Sequence, residues 1–166
     1  MNITFPLVTT PTRDEYSAKL HEIVNAEFQE LLFIAPYVDG LLIENLLKRF
    51  LYNPKRLIIV SRFGDLFREQ KAKVRKAVKA LIDYAKKDHT IEERIKWYVV
   101  PNLHAKIVIK DWKEVLFGSQ NFTYSALKIN YELGAFLEDI EEVKTQLEEF
   151  VADIIRGSSI ILFPPQ

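Results

Sequence analysis

Between Leu103 and Thr123 the chain reads LHAKIVIKDWKEVLFGSQNFT, in which polar residues interrupt two strand-like apolar runs at fixed intervals. The spacing is His104-x-Lys106-x4-Asp111-x6-Gly118-Ser119-x-Asn121. Residues two apart on a strand face the same side, so His104 and Lys106 are expected to project together, with Ile107 and Ile109 opposite. Asp111-Trp112-Lys113 reads as a turn and Glu114 to Phe117 as the returning hairpin partner. That return carries Gly118-Ser119-Gln120-Asn121 back to the level of His104, so an imidazole, an ammonium and an amide converge.

Those groups suit attack on a phosphodiester. An imidazole with a reference pKa of about 6.5 is largely unprotonated at neutral pH and can act as a nucleophile. Lys106 supplies a positive charge and Asn121 a neutral donor for the oxygens that gain charge as phosphorus is attacked, and Ser119 adds a further hydrogen bond. Gly118 would let the chain turn sharply and approach a ligand closely. Nothing in this set requires a metal or another cofactor. Taken singly, each residue has a plainer reading: a structural strand histidine, a solvated edge lysine, a helix-capping asparagine. Six residue types fixed together would arise by chance in a chain this size about once in a million. The joint pattern reads as a site.

This HxKxxxxD…GSxN pattern resembles the signature of the phospholipase D superfamily, and every one of its residues is present. The run GSQNFT, Gly118 to Thr123, looks most like the family's small, single-motif nuclease branch, and Glu132 in NYELG matches that branch's downstream acid. Looser resemblance extends to LLFIAPYV (Leu31 to Val38) and RLIIVSR (Arg56 to Arg62). The resemblance implies that His104 attacks phosphorus to form a covalent phosphohistidine, while Lys106, Asn121 and Ser119 hold the phosphate. It implies that Glu132 accepts a hydrogen bond from a His104 ring nitrogen and fixes its tautomer, and that Asp111 is structural. Tyr37 and Arg62, each ending a predicted strand, are candidates for the rim of the cleft. His21 and His89 have no lysine or asparagine around them to make a second site.

The elements that must position these residues follow from apolar periodicity. Thr12-x-x-Glu15 forms a capping-box pattern, continued by Tyr16, Leu20, Ile23, Val24 and Phe28 at helical spacing. Leu31 to Ala35 and Leu57 to Val60 read as buried strands. Leu41 to Phe50 reads as a helix stopped by Asn53-Pro54, and a long helix with Lys71, Arg75 and Lys79 on one stripe follows Gly64. Strands are expected over Ile95–Val100, His104–Ile109, Glu114–Phe117 and Glu132–Leu137. Asp139-x-x-Glu142 then caps a helix that turns Ile140, Val143, Leu147, Val151 and Ile154 inward, and Ile160 to Phe163 adds a last strand. This order predicts an α/β sandwich, a mixed sheet flanked by helices on both faces, built as one domain over residues 1–166.

Bulk properties narrow the function classes. The 166 residues are 48% hydrophobic and 28% charged, an ordinary globular composition. There is no cysteine, so disulfides and thiolate metal sites are excluded. No stretch approaches a membrane span and the N-terminus lacks a signal-peptide pattern, which makes a cytoplasmic protein the expectation. Net charge is zero, yet residues 62–87 carry nine basic side chains against three acids, and residues 138–153 seven acids against Lys144 alone. Such local patches can steer a ligand such as a nucleic-acid backbone. The function expected is a metal-independent phosphodiesterase, an endonuclease on DNA or RNA. The alternatives are a phospholipid hydrolase or transphosphatidylase, and a nucleic-acid-binding assembly subunit. One motif supplies one histidine, whereas the mechanism needs a second proton-transferring group, so a two-fold homodimer with a shared site is the expected assembly.

Overall fold

A computed structural model describes residues 1–38, 55–62, 72, 79, 82–158 and 160–161 of the chain. The strands are β1 (Asn2–Thr10), β2 (Arg13–Asp14), β3 (Glu30–Ile34), β4 (Arg56–Ser61), β5 (Ile95–Val99), β6 (Ile107–Lys110), β7 (Glu114–Gly118), β8 (Glu132–Glu138) and β9 (Ile160–Ile161). The helices are α1 (Glu15–Asn25), α2 (Thr90–Arg94), α3 (Tyr124–Lys128) and α4 (Lys144–Arg156), with a short 3-10 turn at Ile140–Glu142. The strands form one mixed sheet in the order β2-β1-β8-β7-β6-β3-β4-β5-β9. The predicted helix over residues 41–50, its closing turn and most of the lysine-striped helix lie outside the described residues. Lys79 is exposed and helical.

Next to the central strand β6 lies β3, ELLFI, a near-continuous apolar run that can only be buried on both faces. It pairs parallel with β4 and antiparallel with β6. Alternation along the strands divides the apolar residues between two layers. Leu31, Phe33, Val108, Leu116 and Phe136 pack with Tyr16, Leu20 and Ile23 of α1 and with Leu127 of α3. Leu32, Ile34, Ile109 and Val115 pack with Leu147, Val151 and Ile154 of α4. Helices therefore cover both faces, as the periodicity predicts.

Three local features differ from the sequence expectation. The nine-residue β1 has no counterpart there, although Ile3 and Phe5 alternate with Asn2 and Thr4. Pro6 obscures the pattern because it lacks an N–H for the ladder, and the β1–β8 register shifts between Thr4 and Leu7. Neither expected capping box forms: Asp139 has a φ of 55° and makes no side-chain cap, the turn at Ile140–Glu142 intervenes, and α4 starts only at Lys144. Arg13–Asp14 pairs back onto Thr9–Thr10, α1 starts at Glu15, and the Glu15 carboxylate accepts from the Val8 amide at 2.9 Å. Finally, β6 begins at Ile107, three residues later than expected, so His104 and Lys106 lie on the approach to the strand.

The β6–β7 turn fixes that approach. Asp111 and Trp112 both have φ of 54°, and the Lys113 amide donates to the Lys110 carbonyl at 3.0 Å, the φ pattern of a type I′ hairpin turn. Asp111 Oδ1 accepts from the amides of Gln29 and Glu30, both at 2.8 Å, and so ties the turn to the start of β3. Trp112 Nε1 donates to Glu30 Oε1 at 2.9 Å. Asp111 thus anchors the hairpin through backbone distant in sequence. Asp111→Ala is expected to lose about 2–4 kcal/mol in urea unfolding, from two charge-assisted bonds and an alanine at positive φ. Asp111→Asn, which keeps an acceptor and tolerates that φ, is expected to lose less than half as much.

Candidate active site

β7 leaves the sheet through Gly118, and the ladder with β8 persists one residue further, the Ser119 amide donating to the Leu133 carbonyl at 3.0 Å. A Cβ on Gly118 would overlap the Leu133 carbonyl oxygen and lie 2.7 Å from the Gly134 Cα. Glycine is required here by the close approach of β8. This corrects the expectation of a sharp turn, since no described glycine has a positive φ. Ser119 Oγ donates to Glu132 Oε2 through a short contact and accepts from the Leu133 amide at 3.1 Å. The other Glu132 oxygen accepts from Asn130 Nδ2 at 3.2 Å.

The loop then runs through Gln120, wholly buried, and Asn121 to Phe122. The Phe122 amide donates to the Tyr37 carbonyl at 3.2 Å, and the Arg62 amide to the Pro36 carbonyl at 3.2 Å. The segments leaving β3 and β4 therefore lie beside the Asn121 loop, and their backbones support it. Asn121 Oδ1 is buried and, among the described residues, has no hydrogen-bond partner. An unmet buried amide oxygen costs on the order of 1–3 kcal/mol, which native folds tolerate mainly where the group has work beyond packing.

His104 and Lys106 come together outside the ladder. Lys106 Nζ donates to the His104 carbonyl at 2.8 Å, and the Lys106 carbonyl accepts from the Gly118 amide at 3.4 Å. Partial burial pushes the Lys106 ammonium below the ordinary lysine range, and the nearby Glu132 carboxylate opposes that shift. The His104 ring is exposed and, among the described residues, makes no hydrogen bond. The expected Glu132–His104 bond is absent. Both Glu132 oxygens are engaged, by Ser119 and Asn130.

His104, Lys106, Gly118 and Ser119 line one groove of about 630 Å³. Asn121, Glu132, Tyr37 and Arg62 do not line it, so the structure brings together four of the residues singled out from the sequence and sets four beside them. Apart from Gln146 of α4, the rest of the groove wall is apolar, with Phe117 and Leu137 from the sheet and Leu147 and Phe150 from α4. That wall was not anticipated, because Leu147 reads as core and Phe117 as an ordinary strand residue. Among the described residues no cluster of acids and histidines is placed to hold a metal, and no helix is long and apolar enough to cross a membrane.

A family model described as "Cardiolipin synthase, PLD-like domain" matches residues 19–154. The chain belongs to the phospholipase D superfamily. It is an enzyme of the phosphodiesterase class. No curated protein matches it, but solved structures do. Phosphatidylserine synthase from Haemophilus influenzae Rd KW20 matches with a TM-score of 0.73 at 17% identity, covering 95% of this chain and 39% of that one. The phospholipase D family member Nuc from Salmonella typhimurium matches with a TM-score of 0.70 at 17% identity, covering 95% of both chains. NucT from Helicobacter pylori matches with a TM-score of 0.68 at 13% identity, covering 95% of this chain and 98% of that one. This chain thus spans well under half of the synthase and nearly all of Nuc and NucT. At such identities the shared property is the fold.

The depressed Lys106 pKa gives a signed expectation. Below the ordinary lysine pKa of about 10.4 the unfolded chain holds this proton more tightly than the native state, so Lys106's contribution to stability grows as pH rises through that window. Lys106→Met should lose about 10²–10³ in kcat while melting no lower than wild type at pH 7. The wild type should gain on the variant in thermal melts between pH 8 and 10.

Proposed function

We propose that this chain is a metal-independent endonuclease acting on DNA or RNA through a phosphohistidine. The observation that carries the reading is the convergence of the His104, Lys106 and Ser119 side chains on one groove, with the Asn121 loop alongside. The near-complete overlap with Nuc and NucT, against 39% of phosphatidylserine synthase, supports the small nuclease-like branch that the sequence resembles. A sheet that runs through the described chain supports one catalytic domain over residues 1–166.

In the proposed reaction a His104 ring nitrogen attacks phosphorus and the bond to the leaving oxygen breaks. Lys106 and Asn121 donate to the non-bridging oxygens as they gain charge, and Ser119 joins them when its single hydrogen turns from Glu132 to the phosphate. The leaving oxygen takes a proton from a second imidazole. That imidazole then accepts a proton from water as the water attacks the phosphohistidine, and the P–N bond breaks to restore His104. Glu132 holds Ser119 in place through their short contact. Tyr37 and Arg62 support the Asn121 loop and border the path of the substrate.

The second imidazole is proposed to be His104 of the partner subunit in a two-fold homodimer. Supporting this, Ile3 pairs with Leu137, Val115 with Leu137 and Phe117 with Ala135, so Ile3, Phe117 and Leu133 share one face of the sheet. They are 59%, 41% and 48% exposed, and Phe150 beside them on α4 is 45% exposed. Contiguous exposed apolar surface of this kind marks contact with something else, and here it borders the groove that holds His104.

The apolar wall favours a second reading on the same site. A groove with four polar side chains, His104, Lys106, Ser119 and Gln146, and an otherwise hydrocarbon lining also fits a phosphodiester that carries an acyl chain, which would make the chain a phospholipid hydrolase or transphosphatidylase.

One assay series separates these readings. Plasmid, linear duplex, single-stranded DNA, RNA and phosphatidylcholine vesicles are each incubated in several millimolar EDTA with wild type and His104→Ala. Nucleic-acid cleavage that survives EDTA and vanishes in His104→Ala is the expected result. Choline release without cleavage would favour the second reading, and restoration only by magnesium would overturn metal independence. For the assembly, light scattering should give about twice the 19.4 kDa chain mass. Heterodimers of wild type and His104→Ala should be inactive; heterodimers at half the wild-type rate would show that each chain has its own complete site.

A further inference from the structure

Four polar residues are buried among the described residues, namely Thr9, Ser17, Ser61 and Gln120. Three of them form a single network, and it lies directly behind the phosphate-binding loop. Gln120 Oε1 accepts from Thr9 Oγ1 at 3.4 Å, while Nε2 donates to the Ala126 carbonyl at 2.9 Å and to Ser17 Oγ at 3.4 Å. Ser17 Oγ spends its own hydrogen on the Leu127 carbonyl at 2.8 Å, so toward Gln120 it can only accept. The amide orientation is therefore determined, because a flipped Gln120 would set its oxygen against the Ala126 carbonyl.

Burying a primary amide is costly unless its bonds are made, and a fully bonded network selects one arrangement of its elements in a way an apolar residue of equal size does not. Here the partners come from three elements: Thr9 on β1, Ser17 on α1 and Ala126 on α3. Thr9 is also the register partner of Glu132 across β1 and β8. Gln120 itself sits between Ser119 and Asn121, occupying the unspecified position of GSxN. Its side chain goes into the core between two residues whose roles are at the substrate.

We propose that Gln120 is a positioning residue, whose buried amide locks the Ser119–Asn121 loop to β1, α1 and α3 and so sets where Ser119 and Asn121 meet the phosphate. This rests on the reading of Ser119 and Asn121 as phosphate ligands. A displacement of about 1 Å at such ligands can cost on the order of a hundredfold in rate.

The test uses Gln120→Met, which keeps length and removes the bonds, and Thr9→Val, which removes one bond and is the milder variant should the first fail to fold. Amide hydrogen exchange should quicken about tenfold or more at Ser119 and Phe122, whose N–H groups bond the Leu133 and Tyr37 carbonyls, with central β6 and β7 amides unchanged. On the nucleic-acid substrate kcat should fall at least about tenfold with KM within about twofold. In a Ser119→Ala background the same substitution should cost markedly less, because one of the groups it positions is gone. Unchanged exchange at Ser119 and Phe122, equal acceleration across the whole sheet, or equal losses on both backgrounds would overturn the proposal. The exchange measurement needs no turnover, so an inactive wild type would bring down the nuclease reading while exchange still decides the role of Gln120.

Discussion

Two glycines meet across β7 and β8, and the site exists because neither has a side chain. Gly118 and Gly134 are register partners. A Cβ on the first would strike the β8 backbone, and one on the second would overlap the Tyr16 ring. Their contact lets β8 close against the end of β7 while α1 packs beneath. With the strands that close, the Ser119 amide reaches the Leu133 carbonyl, and the Ser119 hydroxyl reaches both the Leu133 amide and the Glu132 carboxylate. Packing of the smallest residues sets the polar geometry of the groove.

The electrostatics follow from that closure. Glu132 is drawn in by Ser119 and Asn130, near enough to favour the charged form of Lys106 while burial disfavours it. The same carboxylate and the same burial push the Tyr16 hydroxyl well above the ordinary tyrosine range, so its proton stays on throughout the physiological range. Lys106 is thus a cation partly withdrawn from water, a cost in stability that a bound phosphate would offset under the proposed function. Such opposition between stability and function is common where charge must be ready in advance. His104 stands outside this arrangement. It is exposed and, among the described residues, without a hydrogen bond.

The apolar wall links the chemistry to assembly. Phe117 takes part in both the groove and the exposed sheet face, and Phe150 joins it from α4. A second copy or an acyl chain would cover the same side chains, so the two readings of the site compete for one surface. Hydrophobic burial is non-directional and does not choose between them. The polar groups around His104 are common to both readings and do not choose either.

The sequence by itself made the family legible, and with it the chemistry proposed for the site. His104, Lys106, Ser119 and Asn121 stand at fixed intervals that no packing requirement explains, and the apolar runs of β3 to β8 and α4 are legible because one-sided or two-sided burial imposes a period on a strand or helix. Asp111 was legible as structural through the resemblance alone; its partners, 81 and 82 residues away, were not. The tertiary structure decided what depends on long-range contact. It added β1, whose pattern Pro6 obscures, and gave Gly118 to strand packing in place of a turn. It engaged Glu132 with Ser119 and Asn130 instead of His104. It also buried Gln120 among Thr9, Ser17 and Ala126, which no local pattern could show, since a residue's hydrogen-bond partners across a fold are fixed by where distant elements come to rest.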